Sequence, residues 1–259
     1  MNPVFPATYS TLCPIALSSL VSEKYKLENV QCKFLVRGVG DTYLVQSSEK
    51  RFVLRAYRSS HRSLSQIKME VELLLALKQA DVSVSYPIPD ISGEAIQKLV
   101  AVEGERHAVL FSYAPGRPVR ILNENQLRVI GHEMARFHNV SSTIGLGKER
   151  WNFDLETTLF RPLEMLKSAF AEDPEGYAWL LQAAGNIEKR LSQLNTSEFS
   201  NGYCHFDFLP KNFHFEDDSV TLFDFDFMGY GWLVNDIMSF WQNLNLDVYT
   251  GRMTQQAAN

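Results

Sequence analysis

Four side chains with hard oxygen atoms stand in the last third of the chain at spacings that could support phosphoryl transfer. Asp207 and Asn212 are five positions apart, and Asp224 and Asp226 follow after two short apolar runs. Phosphoryl transfer needs a carboxylate that orients the attacking hydroxyl and accepts its proton, together with oxygen ligands for Mg²⁺. A loop with Asp207 and Asn212, followed by a β-hairpin that delivers Asp224, could bring this set to one point.

The spacing resembles the motif of a known family, the aminoglycoside phosphotransferase and choline kinase family. That motif runs His-Gly-Asp, four residues, Asn, then Ile-Asp-Phe-Asp and a downstream Asp-Leu or Asp-Ile. The chain resembles the family over residues 33–237, most strongly in the last third. The resemblance implies a kinase that moves the γ-phosphate of ATP to a hydroxyl of a small molecule, with Mg²⁺. The matching residues are His205-Phe206-Asp207, Asn212, Phe223-Asp224-Phe225-Asp226 and Asn235-Asp236-Ile237.

The resemblance also implies a role for each matching residue. Asp207 would be the catalytic base, and Asn212 and Asp224 would hold Mg²⁺. Asp226 has two roles open to it, as a ligand of a second metal or as a brace for the loop. Asp236 would hold the backbone of the catalytic loop from a helix, and His205 would brace that loop.

The N-terminal part contains a glycine turn between strand-like runs. β-branched and aromatic residues between turn signals predict consecutive antiparallel strands over residues 33–58. By the resemblance, the turn with Gly38 and Gly40 would close over the phosphates, although the third glycine of GxGxxG is missing. Arg55, on the third strand, would bind the α- and β-phosphates, where protein kinases use lysine.

A helix that follows these strands offers a partner for Arg55. Glu70 shares a face with apolar residues at helical spacing, whereas Glu72 lies roughly 200° away around the helix. By the resemblance, the cation pairs with a glutamate on this helix. Because an acid that points inward needs a partner, that glutamate is expected to be Glu70. The apolar residues are Ile67, Leu73, Leu74 and Leu77.

A third nucleotide contact comes from the resemblance alone. Phe111, Ser112 and Tyr113 stand where the family has its hinge, which binds adenine mostly through backbone groups. The junction between the two parts of the chain is expected at Ser112–Gly116, in front of the next helical pattern.

The period of the apolar residues predicts a small sheet-rich N-terminal part with one helix and a larger, mostly helical C-terminal part. Together with the resemblance, this layout implies an α+β, two-lobed protein-kinase-like fold. A small antiparallel-sheet N-terminal lobe with one helix would comprise residues 1–112 and bind the nucleotide. A larger, mainly helical lobe would comprise residues 113–259 and carry catalysis and the acceptor. Its helices are predicted over residues 127–137, 155–195 with a break at Asp173-Pro174, and 233–246.

Charge and hydropathy indicate which partners and which location to expect for the protein. The net charge is -5, and no block of Lys or Arg stands out, which argues against nucleic acid and anionic membranes as partners. Residues 1–20 contain no Lys or Arg, and no apolar run is long enough to span a bilayer, so a cytoplasmic protein is expected. Cys13, Cys32 and Cys204 are far apart and predict free thiols.

The acceptor is less defined by the sequence. Acids and aromatic residues over residues 151–179 would suit a cationic acceptor, through charge and cation–π attraction. The family continues through several helices after the position of Asp236, whereas this chain stops at Asn259. Either a naturally short member or a shortened sequence is expected, with an acceptor pocket that could be incomplete.

Two other functions stay open at this point. A nucleotide-binding regulatory module with weak catalysis would fit the sparse glycine turn. A protein Ser/Thr kinase is less favoured, because Asp-Phe-Gly and Ala-Pro-Glu segments are missing. The short distance from Asp226 to Asp236 also leaves little room for a peptide-docking loop.

Overall fold

The strand-like runs of the N-terminal part form an antiparallel sheet in the computed structural model, which describes residues 8–249. Ten strands and six helices make up an α+β fold within this range, as predicted. In chain order they are α1 (Pro14–Tyr25), β1 (Gln31–Arg37), β2 (Asp41–Gln46), β3 (Arg51–Tyr57), α2 (Leu64–Gln79), β4 (Ile96–Ala101), β5 (Gly104–Ser112), α3 (Glu124–Ser141), β6 (Asn152–Phe153), α4 (Arg161–Leu166), α5 (Pro174–Leu191), β7 (Asn201–Cys204), β8 (Phe213–Glu216), β9 (Ser219–Leu222), β10 (Gly229–Trp232) and α6 (Val234–Tyr249).

The chain divides into two units. The first comprises the chain up to Glu133 together with Phe213–Asp224, and the second comprises Met134–Asn212 and the chain from Phe225 onward. The hairpin of β8 and β9 thus belongs to the unit that contains the N-terminal sheet, although it follows the loop of Asp207 and Asn212 in sequence. The predicted lobe boundary after residue 112 stays a prediction, because compactness does not say where nucleotide and acceptor functions divide.

The sheet of the first unit has five strands in the order β1-β2-β3-β5-β4, and all neighbours are antiparallel. Arg55 of β3 pairs with Thr42 of β2 and Val109 of β5, so it lies in the central strand. One face of the sheet is covered by α1. Its core consists of Leu17, Val21, Tyr43, Val45, Leu54, Ala56, Ala108 and Leu110.

Helix α1 is an addition to the one helix predicted for this region. Only Leu17 and Val21 of α1 are buried, one helical turn apart, which is too short a pattern to predict a helix. Pro14 at its first turn favours the helix start. Helix α2 has the full predicted pattern, with a capping box between Ser63 and Gln66 at its N-terminus.

The second unit has a three-stranded sheet of order β6-β10-β7. Strand β10 is parallel to β6 and antiparallel to β7. The predicted break at Asp173-Pro174 is the start of α5, where the Asp173 side chain accepts a hydrogen bond of 2.9 Å from Gly176 N. Within residues 8–249, none of the helices has the length and apolar character that a membrane span requires.

Candidate active site

The loop between β7 and β8 holds Asp207 with two neighbouring side chains of the second unit. Asn212 Nδ2 donates to the main-chain carbonyl of Asp207 at 2.8 Å and to its Oδ2 at 2.8 Å. Lys211 Nζ lies 2.9 Å from the same Oδ2. Among the residues that the structure describes, none donates a hydrogen bond to Oδ1 of Asp207. One carboxylate oxygen is thus fixed, and the other can accept a proton.

The local sequence explains why Asn212 reaches Asp207. A 3₁₀ turn at Pro210–Asn212, with Asn212 N donating to Leu209 O at 2.8 Å, folds the chain back on itself. The Asn212 side chain is buried, and its Nδ2 is used by Asp207. Its Oδ1 is therefore the atom that could face a metal, and an amide oxygen is a hard ligand of the type that Mg²⁺ accepts.

Asp236, at the start of α6, holds the backbone of this loop. Its Oδ2 accepts from His205 N at 3.0 Å, and its Oδ1 accepts from Phe206 N at 2.6 Å. His138 Nε2 lies 2.9 Å from Oδ2. The Asp236 side chain is fully buried, and hydrogen bonds to a buried carboxylate are of the strong, charge-assisted kind. The role that the resemblance implies for Asp236 thus has a direct geometric basis.

Phe206 stands at the position where the family motif has glycine, and its φ is +64°. This left-handed conformation costs a residue with a Cβ about 1–2 kcal/mol. The Phe206 ring stacks face to face on Phe153 of β6, with ring centroids 3.6 Å apart. Gly229 of β10 leaves room for Phe153, because a Cβ there would lie 2.6 Å from the ring. Packing and the bonds to Asp236 hold the loop in this shape.

In the first unit, Arg55 and Asp224 form an ion pair. Arg55 Nη1 lies 2.6 Å from Asp224 Oδ1, and the two side chains are 11% and 40% exposed. The hairpin positions Asp224, because two backbone hydrogen bonds hold Leu222 of β9. Leu222 N donates to Ser83 O at 2.9 Å, and Leu222 O accepts from Ser85 N at 2.8 Å. Asp224 itself has a φ of +65°, a strained conformation that often marks functional sites.

The glycine turn lies against the strand that carries Arg55. Gly38 N donates to Gly40 O at 2.9 Å, which closes a tight turn. A Cβ on Gly40 would lie only 3.1 Å from Ala56 O, so glycine allows the turn to approach the backbone of the strand that carries Arg55. Asp41, the next residue, is buried and paired with Arg106 at 2.9 Å, which anchors the turn to β5.

Glu70, a further predicted nucleotide-site residue, lies on the predicted face of α2. Glu70 is 1% exposed on the inner face of α2, whereas Glu72 is exposed, as the helical spacing indicated. The pairing of Glu70 with Arg55 stays a prediction.

The predicted hinge is Phe111–Tyr113, and its backbone is partly occupied. Ser112 N donates to Tyr86 O at 2.9 Å, and Ser112 O accepts from Ser85 Oγ at 2.5 Å. An adenine base that used Ser112 would have to share these bonds. Tyr113 lies under the Arg51 guanidinium, 4.1 Å from its ring centroid. The adenine contact of these three residues stays a prediction.

Asp226 differs from the other predicted metal ligands in its surroundings. It is 1% exposed in the short turn Phe225–Phe227 of the second unit, and Arg150 Nη1 donates to its main-chain carbonyl. Of the two roles left open for Asp226, burial supports the brace. Within residues 8–249, no three His, Cys, Asp or Glu side chains form a metal cluster, so a metal would depend on the mixed amide and carboxylate set.

The structure therefore brings together Arg55, Gly40 and Asp224 in one unit, and Asp207 and Asn212 in the other. Lys211 and His138, which contact Asp207 and Asp236, were not among the predicted site residues. The sequence contained a signal for Lys211. It follows Asp207 by four positions, and residues at this spacing often face each other in helical turns. His138 had none, since it is far from Asp236 in sequence.

Comparisons with known proteins show the family of this chain. A family described as the phosphotransferase enzyme family matches residues 32–257 of the chain. A protein of Deinococcus radiodurans is 34% identical over 238 residues, which cover 92% of this chain and 69% of that protein. The amicoumacin kinase of Bacillus subtilis is 26% identical over 83% of this chain and 63% of its own length. The serine/threonine protein kinase RdoA of Salmonella typhimurium is 25% identical over 95% and 72%.

A solved structure supports the fold. The amicoumacin kinase hAmiN, in complex with AMP-PNP, Ca²⁺ and Ami, superposes with a TM-score of 0.70 at 21% identity. The superposition covers 90% of this chain and 70% of that protein. The predicted protein-kinase-like fold is confirmed.

Proposed function

The chain belongs to the phosphotransferase enzyme family, and we propose that it transfers the γ-phosphate of ATP to a hydroxyl group of a small molecule. The membership confirms the predicted family and the prediction of an enzyme of the phosphotransferase class. The observation that carries the proposal is the setting of Asp207. Asn212 and Lys211 hold its Oδ2, while Oδ1 is left for an acceptor hydroxyl.

In the proposed reaction, Asp207 is the base. The acceptor hydroxyl donates its hydrogen bond to Oδ1, and its oxygen attacks the γ-phosphorus. The bond between that phosphorus and the β–γ bridging oxygen breaks, ADP leaves with the electron pair, and the hydroxyl proton passes to Asp207. The protein contributes mainly position and electrostatics, because the phosphoryl group itself needs little covalent help.

We propose Asn212 and Asp224 as Mg²⁺ ligands, because both offer hard oxygen atoms and both are held by neighbours. Bound Mg²⁺ would neutralise charge on the phosphate oxygens. Asp226 is proposed as a brace of the loop, with ligation of a second metal as its other predicted role.

The nucleotide contacts are proposed from the first unit. Arg55 would bind the α- and β-phosphates, with Glu70 as its partner, and the turn with Gly38 and Gly40 would cover them. The close approach of Gly40 to Ala56 O, on the strand that carries Arg55, supports this placement. The backbone of Phe111, Ser112 and Tyr113 is proposed to bind adenine.

For the acceptor we propose an amino alcohol, an aminoglycoside or a similar compound. The amicoumacin kinase relative supports a small-molecule acceptor. Asp154, beside Phe153, would favour a cationic one, because hydrogen bonds from the Thr157 backbone and side chain lower the Asp154 pKa and keep it charged. We place the reaction in the cytoplasm because it consumes ATP.

A protein Ser/Thr kinase is the second candidate, since one relative carries that name. The local structure supports it less. The middle of the segment between Asp226 and Asp236 is strand β10, which pairs on both sides with β6 and β7 and is not shaped as a peptide-docking loop.

The test is ADP release with Mg-ATP across amino alcohols, sugars, aminoglycosides and casein, with Asp207→Asn in parallel. Asp217→Asn, the same change at the exposed hairpin tip, is the matched control. We expect release that depends on one small-molecule class, that is lost in Asp207→Asn with nucleotide binding retained, and that persists in Asp217→Asn. Nucleotide binding without release for any acceptor would favour a regulatory module, and release with casein alone would favour a protein kinase.

A further inference from the structure

Lys211 is a cation beside the proposed base that none of the predicted roles includes. Its Nζ lies 2.9 Å from Asp207 Oδ2, and its side chain is 64% exposed. Exposed ion pairs contribute little to folding stability, so this contact has little structural effect. Its position next to the proposed base would instead allow it to contact the transferred phosphoryl group.

The geometry puts the ammonium near the transferred group. An acceptor hydroxyl bonded to Oδ1 would have its oxygen roughly 5–7 Å from Nζ, from the width of a carboxylate and ordinary hydrogen-bond lengths. The phosphoryl group joins that oxygen, so its non-bridging oxygens come within the range of a flexible four-carbon side chain.

We propose that Lys211 is a further catalytic residue of the transfer, which binds a non-bridging oxygen of the phosphoryl group as it passes to the acceptor. This inference rests on the proposed function. An ammonium has three donors, and with one on Asp207 two are left for phosphate oxygen. In this step Lys211 only donates hydrogen bonds: the hydroxyl proton goes to Asp207, the new P–O bond forms, and the bond to ADP breaks.

The kinetic signature follows from the timing of this contact. Suppose that a group binds the phosphoryl oxygen chiefly during transfer. Its removal then lowers kcat and kcat/KM together and leaves the KM for both substrates nearly unchanged. A residue that only binds ATP would raise the KM for ATP instead. A structural residue would lower the melting temperature.

The experiment compares Lys211→Met, Lys211→Arg and Lys98→Met with the wild-type full chain, by ADP release with the acceptor that gives turnover. Lys98 is a close match for Lys211, because its side chain is also 64% exposed and is also paired with a carboxylate, that of Glu105. We expect kcat to fall about 10- to 100-fold in Lys211→Met, with both KM values within about twofold. Lys211→Arg should recover part of the loss, and Lys98→Met should equal the wild type.

The opposing results are distinct. A kcat of Lys211→Met within twofold of the wild type would overturn the role of Lys211 and leave the proposed function standing. A rise in the KM for ATP alone, or a fall in melting temperature that matches the loss of activity, would also overturn it. A wild-type chain without acceptor-dependent release would overturn the proposed function first, and this inference with it.

Discussion

Arg55 Nη1 lies 2.6 Å from Asp224 Oδ1, although the two side chains are proposed to bind different partners. Arg55 is proposed for phosphate and Asp224 for Mg²⁺. Because these two side chains pair with each other, the phosphates must compete with Asp224 for Arg55, and the metal must compete with Arg55 for Asp224. Removal of one partner should therefore change the affinity of the other for its ligand.

Arg55→Met should weaken ATP binding by about tenfold or more and strengthen the binding of Mn²⁺ alone several-fold. The carboxylate of Asp224 loses a cation that competes with the metal, whereas the phosphates lose a charge-assisted contact. Isothermal titration of the nucleotide-free protein with Mn²⁺, and separately with ATP, measures both. The control is Arg128→Met, which removes an exposed arginine paired with Glu124 on α3. Unchanged Mn²⁺ affinity in Arg55→Met would contradict the competition.

Asp236→Asn should lower both stability and turnover. A buried carboxylate with two backbone N–H donors would be replaced by an amide with one acceptor oxygen, which costs about 2–4 kcal/mol of unfolding free energy. Loosening of the loop should also lower kcat, since Asp207 follows Phe206 directly. Urea unfolding and ADP release give the two values. Full turnover in a destabilised variant would mean that Asp236 does not position the loop for catalysis.

At position 206, glycine should be more stable than alanine. Both changes remove the ring that stacks on Phe153, but glycine adopts the observed φ of +64° without the cost that a Cβ brings, about 1 kcal/mol. Denaturant unfolding of Phe206→Gly and Phe206→Ala tests the difference. Equal stability of the two variants would show that the left-handed conformation at this position relaxes when the ring is lost.

The three cysteines should react with a thiol reagent at different rates. Burial raises the pKa of Cys204, with the charge of Asp236 adding to the effect, and burial also raises the pKa of Cys32. A raised pKa keeps the thiol neutral at pH 8, and the thiolate is the reactive form. Cys13 is exposed and should be labelled first, then Cys32, and Cys204 only on unfolding. Peptide mapping after timed labelling gives the order, and early labelling of Cys204 would contradict it.

Local features of the fold were predictable from neighbouring residues. The face of α2 with Glu70, the strand with Arg55 and the helix start at Asp173 follow from periodicity and caps that span only a few residues. Helix α1 was not predicted, because its two buried residues are too few to establish a helical period.

The sequence by itself determined the contact between Asp207 and Asn212, the proposed base and a proposed metal ligand, since the two residues are only five positions apart. The tertiary structure decided which distant residues meet: Arg55 and Asp224 are 169 positions apart, and the hairpin before Asp224 is held by hydrogen bonds of Leu222 to the backbone of Ser83 and Ser85. A short turn depends on local backbone geometry, whereas a contact over such a separation depends on how the whole core packs. That is also why the environment of Asp226, buried and held by Arg150, could not be read from its place beside Asp224.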